Sequence, residues 1–476
     1  MDKYKKLASN TIIFAIGTFS SKLLTVLLTA FYTRVMEAGD FGGATSIQNA
    51  VNILVPIVTL AVNSAALRFS IDKFTNKKSV FTTGMATTLA GFAIFCLLSP
   101  LVSKITINDF NMGEYVMVLY LMLLGSSLRQ LCQQFVRGMG NVKLYAIDGV
   151  IATATSAGFT FLYLGVFKWG INGYILSIFT SDICSVILMF AVAKLWKYID
   201  FKKGLDKRIS VPMLKYCIPL IPTVVLWWII NVSDQYMVIF FKGVAESGIY
   251  NAAYKIPNFV IIFSTIFIDA WQLSAVDEYN SRGNSKFFSD VFNVYSGSLF
   301  VVGAFLITLS KFITSVYLGK EYYESWQYEP ILVIATTFSC LVNFYASIYM
   351  AKKKSVLSML TAGVGAIINI VLNLVFIPKF GAYGAAIATA VSFVVVFIIR
   401  AKNTKQFVNI RIDHSSFLPS AILMLASTIF VIYEVPDEKT SFLISLGITA
   451  MITILNFKSV TDILKLLFDK FVKKRG

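Results

Sequence analysis

Three cations stand where an apolar membrane segment would ordinarily hold none. Lys22 lies eleven residues from either end of an apolar run over 11–33, Lys255 about eight residues into a run over 247–272, and Arg129 about eight from the end of one over 115–136. A charge at the middle of a membrane helix costs about 2.5–3.5 kcal/mol on insertion scales, so such a residue faces protein or a cavity and is a functional-site hypothesis. The chemistry open to it is anion binding. One cation about 4 Å from a negative group is worth roughly 4 kcal/mol at an effective dielectric near 20, and lysine and arginine both serve as phosphate binders. Arg34 and Arg68, near opposite ends of the first helical hairpin, read as topology anchors and as candidate lining of the cavity mouth. Asp182 and Asp234 are acids in the same setting, with Asp148 and Asp269 more peripheral. They fit two roles, coupling an ion or pairing structurally with the cations.

Much other chemistry is excluded. No GxxxxGK[ST] loop is present, which removes ATP hydrolysis within this chain. The single histidine, His414, beside Asp413, rules out HExxH zinc chemistry and a histidine proton relay. The five cysteines have no CxxC or metal-ligand spacing and read as reduced packing residues. No cofactor and no metal are expected.

The elements that must position these residues are apolar. Of the 476 residues 57% are hydrophobic and 14% charged, far from the soluble norm of about 45–50% and 25%. The formal charge of +17 does not predict a nucleic-acid partner, because Lys and Arg punctuate long apolar runs instead of clustering on a polar surface. Spans of about 20 residues are predicted at 11–33, 44–67, 79–103, 115–136, 144–167, 169–193, 216–241, 247–272, 287–310, 330–351, 355–378, 380–399, 415–433 and 440–457, fourteen in all. Assigning the connecting segments alternately to the two sides puts 31 of the 42 Lys and Arg on the side of the N-terminus and eight on the other. The positive-inside rule then predicts that both termini are cytoplasmic. The basic start and first apolar run resemble a signal peptide, but the run continues to Arg34 without a small-x-small cleavage site and is expected to stay as the first span. The end of the chain carries a helical stripe, Val460, Ile463, Leu464, Leu467, Phe468 and Phe471, opposed by Lys465, Asp469, Lys470 and Lys473. It reads as an amphipathic tail on the inner leaflet or as a basic end completing the topology signal.

The spans are duplicated. EAGDFGGATSIQNA from Glu37 matches GVAESGIYNAAYKI from Gly243, aligning Asp40 with Glu246 and Gly42 with Gly248 at a separation of 206. Trp169-Gly170-Ile171-Asn172-Gly173 matches Phe380-Gly381-Ala382-Tyr383-Gly384 at a separation of 211. An even number of spans per copy makes the repeats parallel, with a site expected near mid-membrane between them. The expected organisation is a six-helix lobe over 1–193, a basic cytoplasmic linker over 194–215, a second six-helix lobe over 216–400, an extra helix pair over 401–457 and the tail over 458–476. Gly42, Gly170, Gly248 and Gly381 are expected to supply positive φ at tight reversals. Pro56, Pro219, Pro222 and Pro257 fall in or near the starts of spans, as kinks or as bending points.

The basic start, the Tyr32-Thr33-Arg34 end of the first span, the Asp40-Phe41-Gly42 turn, the GVAESGIYNAAYKI segment and FGAYGAAIAT into the twelfth span together resemble the polysaccharide exporters of the multidrug/oligosaccharidyl-lipid/polysaccharide superfamily over essentially the whole chain. The resemblance implies an all-α, V-shaped, two-lobed transporter in the bacterial cytoplasmic membrane. It would move an undecaprenyl-diphosphate-linked oligosaccharide from the inner to the outer leaflet by alternating access, driven by an ion gradient or membrane potential. Lys22 and Lys255 match cationic cavity residues in helices 1 and 8 of such exporters, and the last helix pair would offer a groove for the lipid tail. Membrane lipids, and a polysaccharide polymerase and glycosyltransferases, are the implied partners. Two alternatives are a cation-coupled multidrug exporter of the same superfamily, which usually has twelve spans and an acid-lined cavity, and a membrane polymerase, which generally needs a larger outer loop than any here.

Overall fold

The computed structural model describes residues 26–72, 74–201, 204–278, 284–352, 354–457 and 461. Lys22 and the tail stripe lie outside the described residues, as does the side chain of Asp269. Among the described residues twelve helices are long and apolar enough to cross a membrane. Against fourteen expected spans, the remaining two are the first, described only over Val26–Val35, and the eighth, which is two helices, Val244–Ala253 and Asn258–Glu278. The chain divides into two units, Met1–Trp228 with Gly243–Gly248, and Ile229–Lys242 with Ile249–Gly476.

In the first unit the second span is broken. Helix Ala38–Val58 carries Pro56 inside its last turn, and helix Val62–Ile71 resumes after Leu60 and Ala61, both at positive φ (51° and 52°). The proline lacks the N–H that would continue the ladder, and Gly91 of helix Lys77–Leu97 packs against the end of the interrupted turn. A Cβ at Gly91 would lie 1.8 Å from the Val58 carbonyl oxygen. Helix Val116–Gly138 is central, packing on Val62–Ile71 and on Gly170–Ala193, which also covers Val142–Thr160. Asn76 and Asn141 start two of these helices by accepting hydrogen bonds from the N–H groups of Lys78 and Leu144.

The expected linker is docked. Lys194 turns the chain at φ 54°, Thr82 donates to the Tyr198 carbonyl at 3.0 Å, and Thr83 and Ser210 hydroxyls meet at 2.7 Å. Helix Lys207–Cys217 then buries Met213 and Cys217 in the core built around Phe81, Leu131 and Phe135. A turn at Ile218 and Pro219 separates it from helix Leu220–Lys242.

In the second unit, helices Asn284–Thr308, Glu329–Ala351, Ala382–Thr404 and His414–Tyr433 share an aromatic core in which Phe292, Phe344, Tyr345, Phe397 and Phe417 stack or meet edge to face. The last pair, His414–Tyr433 and Glu438–Leu455, packs on Asn284–Thr308. Its seam is polar: Thr308 meets Ser445 at 2.7 Å and Thr449 at 2.8 Å, and Ser427 meets Ser445 at 2.6 Å. Apolar surface gains nothing by leaving lipid, so packing and interhelical hydrogen bonds of this kind, about 0.6 kcal/mol each on average, hold such helices together.

The same pair is tied at its connecting turn. Lys311 bonds Glu434 and Glu438 and lies 4.4 Å from the centre of the Trp326 ring. Partial burial would lower the Lys311 pKa, but the two glutamates outweigh it and raise the value. A raised lysine pKa means this contribution is complete at neutral pH and is lost only as the pH climbs through the elevated value. Lys311→Met should therefore cost about 1 kcal/mol or less, as partly exposed pairs do. Thermal unfolding of the purified protein at neutral and strongly alkaline pH should show a gap from wild type only at the lower pH.

Candidate functional site

Among the described residues each unit holds a buried aspartate cluster inside its membrane segments. In the first, Arg129 on helix Val116–Gly138 donates from Nη1 to Asp182 Oδ1 at 2.9 Å and places Nη2 3.7 Å from Asp148 Oδ2. Ser126 donates to Asp182 Oδ2 at 2.6 Å, and Gln133 to Asp148 Oδ2 at 2.6 Å. Asp148 is fully buried and Asp182 nearly so, while about a quarter of the Arg129 side chain stays exposed. Arg129 is thus held by acids on two neighbouring helices, the structural pairing that the spacing of charges left open.

In the second unit Asp234 is fully buried on helix Leu220–Lys242. Its Oδ2 accepts from Tyr250 and Tyr254 at 2.8 Å each and from Thr389 at 3.2 Å, and its Oδ1 accepts the Gln235 N–H at 2.9 Å. The network continues through Asn369, which donates to Thr389 at 3.2 Å, to Asn373, which donates to Asn369 at 2.9 Å and has a buried Oδ1 with no hydrogen-bond partner among the described residues. Among the described residues no Lys or Arg forms an ion pair with Asp234. Four hydrogen bonds thus converge on this carboxylate from neutral groups.

Lys255 lies in a turn, Tyr254–Pro257, that interrupts the eighth span, and its side chain is half-buried. Pro257, unable to donate, fits the break. Arg34 and Arg68 are exposed in the first unit. The structure therefore brings Arg129 and Asp182 together within the first unit and surrounds Asp234 with hydrogen-bonding partners within the second. Asp148, Tyr250, Tyr254, Thr389, Asn369 and Asn373 escaped the sequence reading as site residues. Asn369–Asn373 is an i, i+4 polar pair on an otherwise apolar helix, and Tyr250 and Tyr254 have the same spacing across the end of helix Val244–Ala253, which was the available signal.

Two glycines correct the turn reading. Gly170 and Gly381 do take positive φ, 52° and 57°, but Gly42 and Gly248 are helical. Within the first unit they let two backbones touch: a Cβ on Gly42 would lie 2.3 Å from the Val244 carbonyl oxygen, and one on Gly248 would lie 1.9 Å from that of Ala38. Asp109 supports the same contact by accepting the Val244 N–H at 3.0 Å.

Residues 7–272 match the family described as "Polysaccharide biosynthesis protein". The chain is 21% identical over 346 residues to a probable low-salt glycan biosynthesis flippase, Agl15, of Haloferax volcanii, covering 70% of this chain and 71% of that one. Its fold resembles the lipid II flippase MurJ in an inward closed conformation, with TM-score 0.70, 17% identity and coverage of 95% and 100% of the two chains. It also resembles an inward-facing multidrug resistance transporter of the MATE family, in the MOP superfamily, with TM-score 0.67, 10% identity and coverage of 81% and 95%. With more than half of its length matched, this multi-pass helical chain belongs to the polysaccharide biosynthesis protein family.

Proposed function

We propose that the protein carries an undecaprenyl-diphosphate-linked oligosaccharide from the inner to the outer leaflet of a bacterial cytoplasmic membrane, by alternating access, with both termini cytoplasmic. The observation that carries this reading is the break at Tyr254–Pro257. Non-helical backbone at membrane depth is tolerated only where protein buries it or a watery cavity borders it, and discontinuous spans are where such transporters build substrate sites. Lys255 occupies that break, so a cation and a helix interruption coincide. Lys22, Arg34, Arg68 and Arg129 are each proposed, as Lys255 is, as diphosphate-binding residues. Asp234 and Asp182 are proposed to couple an ion to the movement, Asp234 having the more complete set of neutral donors. A polymerase and glycosyltransferases would act beside it on the same carrier.

The test is the leaflet distribution of lipid-linked oligosaccharide in cells carrying Lys255→Ala or Lys22→Ala, with Lys→Arg controls at matched membrane levels. Inner-leaflet accumulation with Ala and rescue by Arg are expected. Unchanged carrier in both Ala variants, together with export of a cationic dye, would replace this reading with the multidrug one. Asp234→Asn keeps an acceptor for Tyr250 and Tyr254 and should leave the folded yield intact. In proteoliposomes it should make substrate movement indifferent to an imposed ion gradient that accelerates wild type severalfold.

A further inference from the structure

Two apolar grooves flank the second half of helix Lys77–Leu97 in the first unit. One, of about 460 Å³, lies between Gly91, Ile94 and Leu98 and the broken turn at Ile57 and Leu60, with Leu214 of the docked linker also lining it. The other, of about 270 Å³, is lined by Phe92, Cys96 and Ser99 together with Met117 and Tyr120 of helix Val116–Gly138. A ridge separates them. Phe95 lines the larger groove and Tyr120 the smaller, their ring centres lie 5.1 Å apart, and the Tyr120 hydroxyl donates to the Phe95 carbonyl at 2.9 Å. Helix Lys77–Leu97 has 21 residues and is about 31 Å long at 1.5 Å per residue, one thickness of hydrocarbon, so the stretch over 87–98 that lines the grooves has the depth of one leaflet. Free backbone groups cannot face hydrocarbon, but the broken turn satisfies its own: the Ala61 N–H donates to the Pro56 carbonyl at 2.7 Å, the Leu60 N–H to the Ile57 carbonyl at 3.2 Å and the Thr59 hydroxyl to the Val55 carbonyl at 2.7 Å. The larger groove is therefore compatible with an alkyl chain. A cavity of about 150 Å³ holds one benzene ring of six carbons, so on that scale the two grooves take roughly eighteen and eleven carbons. That is one full acyl chain and most of a second. Beyond Leu98 the short helix Ser99–Val102 leads to Lys104, which is exposed and forms no ion pair among the described residues.

We propose that one diacyl phospholipid straddles the Phe95–Tyr120 ridge, with a chain in each groove and its phosphate on Lys104, and that the chain in the larger groove braces the break in the second span. Two chains joined at one headgroup match two grooves parted by a ridge, whereas a single polyprenyl chain fills only one side. Burial of apolar surface gains nothing against a lipid surround. What a resident lipid gains over its neighbours is close packing in grooves the protein leaves open, and one contact between opposite charges at the phosphate. The inference is independent of the transported substrate.

The purified full chain, washed of lipid in detergent, is titrated with palmitoyl-oleoyl phosphatidylglycerol, with its single-chain lyso form and with undecaprenyl phosphate, and bound lipid is counted by native mass spectrometry. One phosphatidylglycerol per chain should bind about tenfold more tightly than the lyso form, which leaves one groove empty. Ala90→Trp puts an indole into the larger groove and should weaken binding by about the same factor. Ala93→Trp, exposed on the same helix but lining neither groove, should leave it unchanged. Lys104→Gln should weaken it severalfold and remove its salt dependence. Phosphatidylglycerol should raise the thermal unfolding temperature of wild type and not that of Ala90→Trp. Mapping needs no variant, so it tests the site even if Ala90→Trp does not fold: phosphatidylglycerol carrying a diazirine on its acyl chain should mark residues 57–60 and 94–98. Equal binding by Ala90→Trp and Ala93→Trp, equal affinity for the lyso and diacyl forms, or label spread evenly over the lipid-facing helices would mean ordinary exchange with bulk lipid and overturn the site. Binding unaffected by Lys104→Gln overturns the placement of the phosphate. Preference for undecaprenyl phosphate would assign the grooves to a polyprenyl chain and overturn the diacyl occupant.

Discussion

Replacing Gly248 by valine should strongly destabilise the first unit, and so should Gly42→Val. The clash is with backbone, not with a side chain that could swing away: the first added carbon falls 1.9 Å from the Ala38 carbonyl oxygen at Gly248 and 2.3 Å from that of Val244 at Gly42. Real Cβ contacts of that length do not occur, so helices Ala38–Val58 and Val244–Ala253 must move apart. Separation removes the Asp109 hydrogen bond to the Val244 N–H as well. Overpacking of this kind typically costs about 1–3 kcal/mol, and a rigid backbone partner puts these sites at or above the top of that range. Because both glycines press on the same contact, the double variant should cost less than the sum of the singles. Gly158→Ala is the control. It is helical and has nothing within 4 Å of an added Cβ, so it should be neutral or stabilise by about 0.5–1 kcal/mol through helix propensity. Thermal unfolding of detergent-purified variants measures all four. A Gly248→Val protein as stable as wild type would mean that the helices do not touch there.

The two glycines also mark where sequence reading stops. Their position in a repeated motif was legible, because duplication preserves residue identity at a fixed spacing, and Gly42 and Gly248 align at a separation of 206. Their role was not, because a glycine needed for positive φ and a glycine needed for close approach have the same sequence signature, and only φ and the neighbouring backbone separate the two. The spans were legible because the requirement for about 20 apolar residues is imposed by the bilayer and does not depend on tertiary packing. Breaks inside the second and eighth spans were foreshadowed by Pro56 and Pro257. The consecutive left-handed residues Leu60 and Ala61 carried no signal of their own. In the candidate sites, single charged residues stood out against an apolar background, but their partners did not. Arg129 was visible as an intramembrane cation; that Asp182, 53 positions later, sits 2.9 Å from it is a product of packing between helices. Hydroxyls and amides around Asp234 were harder still, since Tyr, Thr and Asn are unremarkable in a hydrophobic helix until they converge.

Arg400 shows the same limit from the other direction, and it supports the second large expectation. In the sequence it is one of a run of inner-side cations after the twelfth span. In the structure it is fully buried, the largest of the fully buried side chains. Its Nε donates to Thr361 Oγ1 at 3.0 Å, Nη1 to the Val342 carbonyl at 3.0 Å, and Nη2 to the Ser358 carbonyl at 3.0 Å and hydroxyl at 3.3 Å. One planar fork therefore joins three helices, Glu329–Ala351, Ser355–Phe380 and its own Ala382–Thr404, with the centre of the Tyr349 ring 5.7 Å from the guanidinium carbon. Lysine has charge and length but only one nitrogen, and cannot reach acceptors on both neighbouring helices at once. Arg400→Lys should cost about 2–4 kcal/mol, because it keeps a buried charge while losing most of the bonds that offset its desolvation. Arg400→Met removes both the charge and the bonds and fills much of the volume, so it should cost less than lysine. The order Arg above Met above Lys in thermal stability is the expected result. Lysine equal to arginine would mean that charge alone, and not the spread of donors across three helices, holds this end of the second unit together.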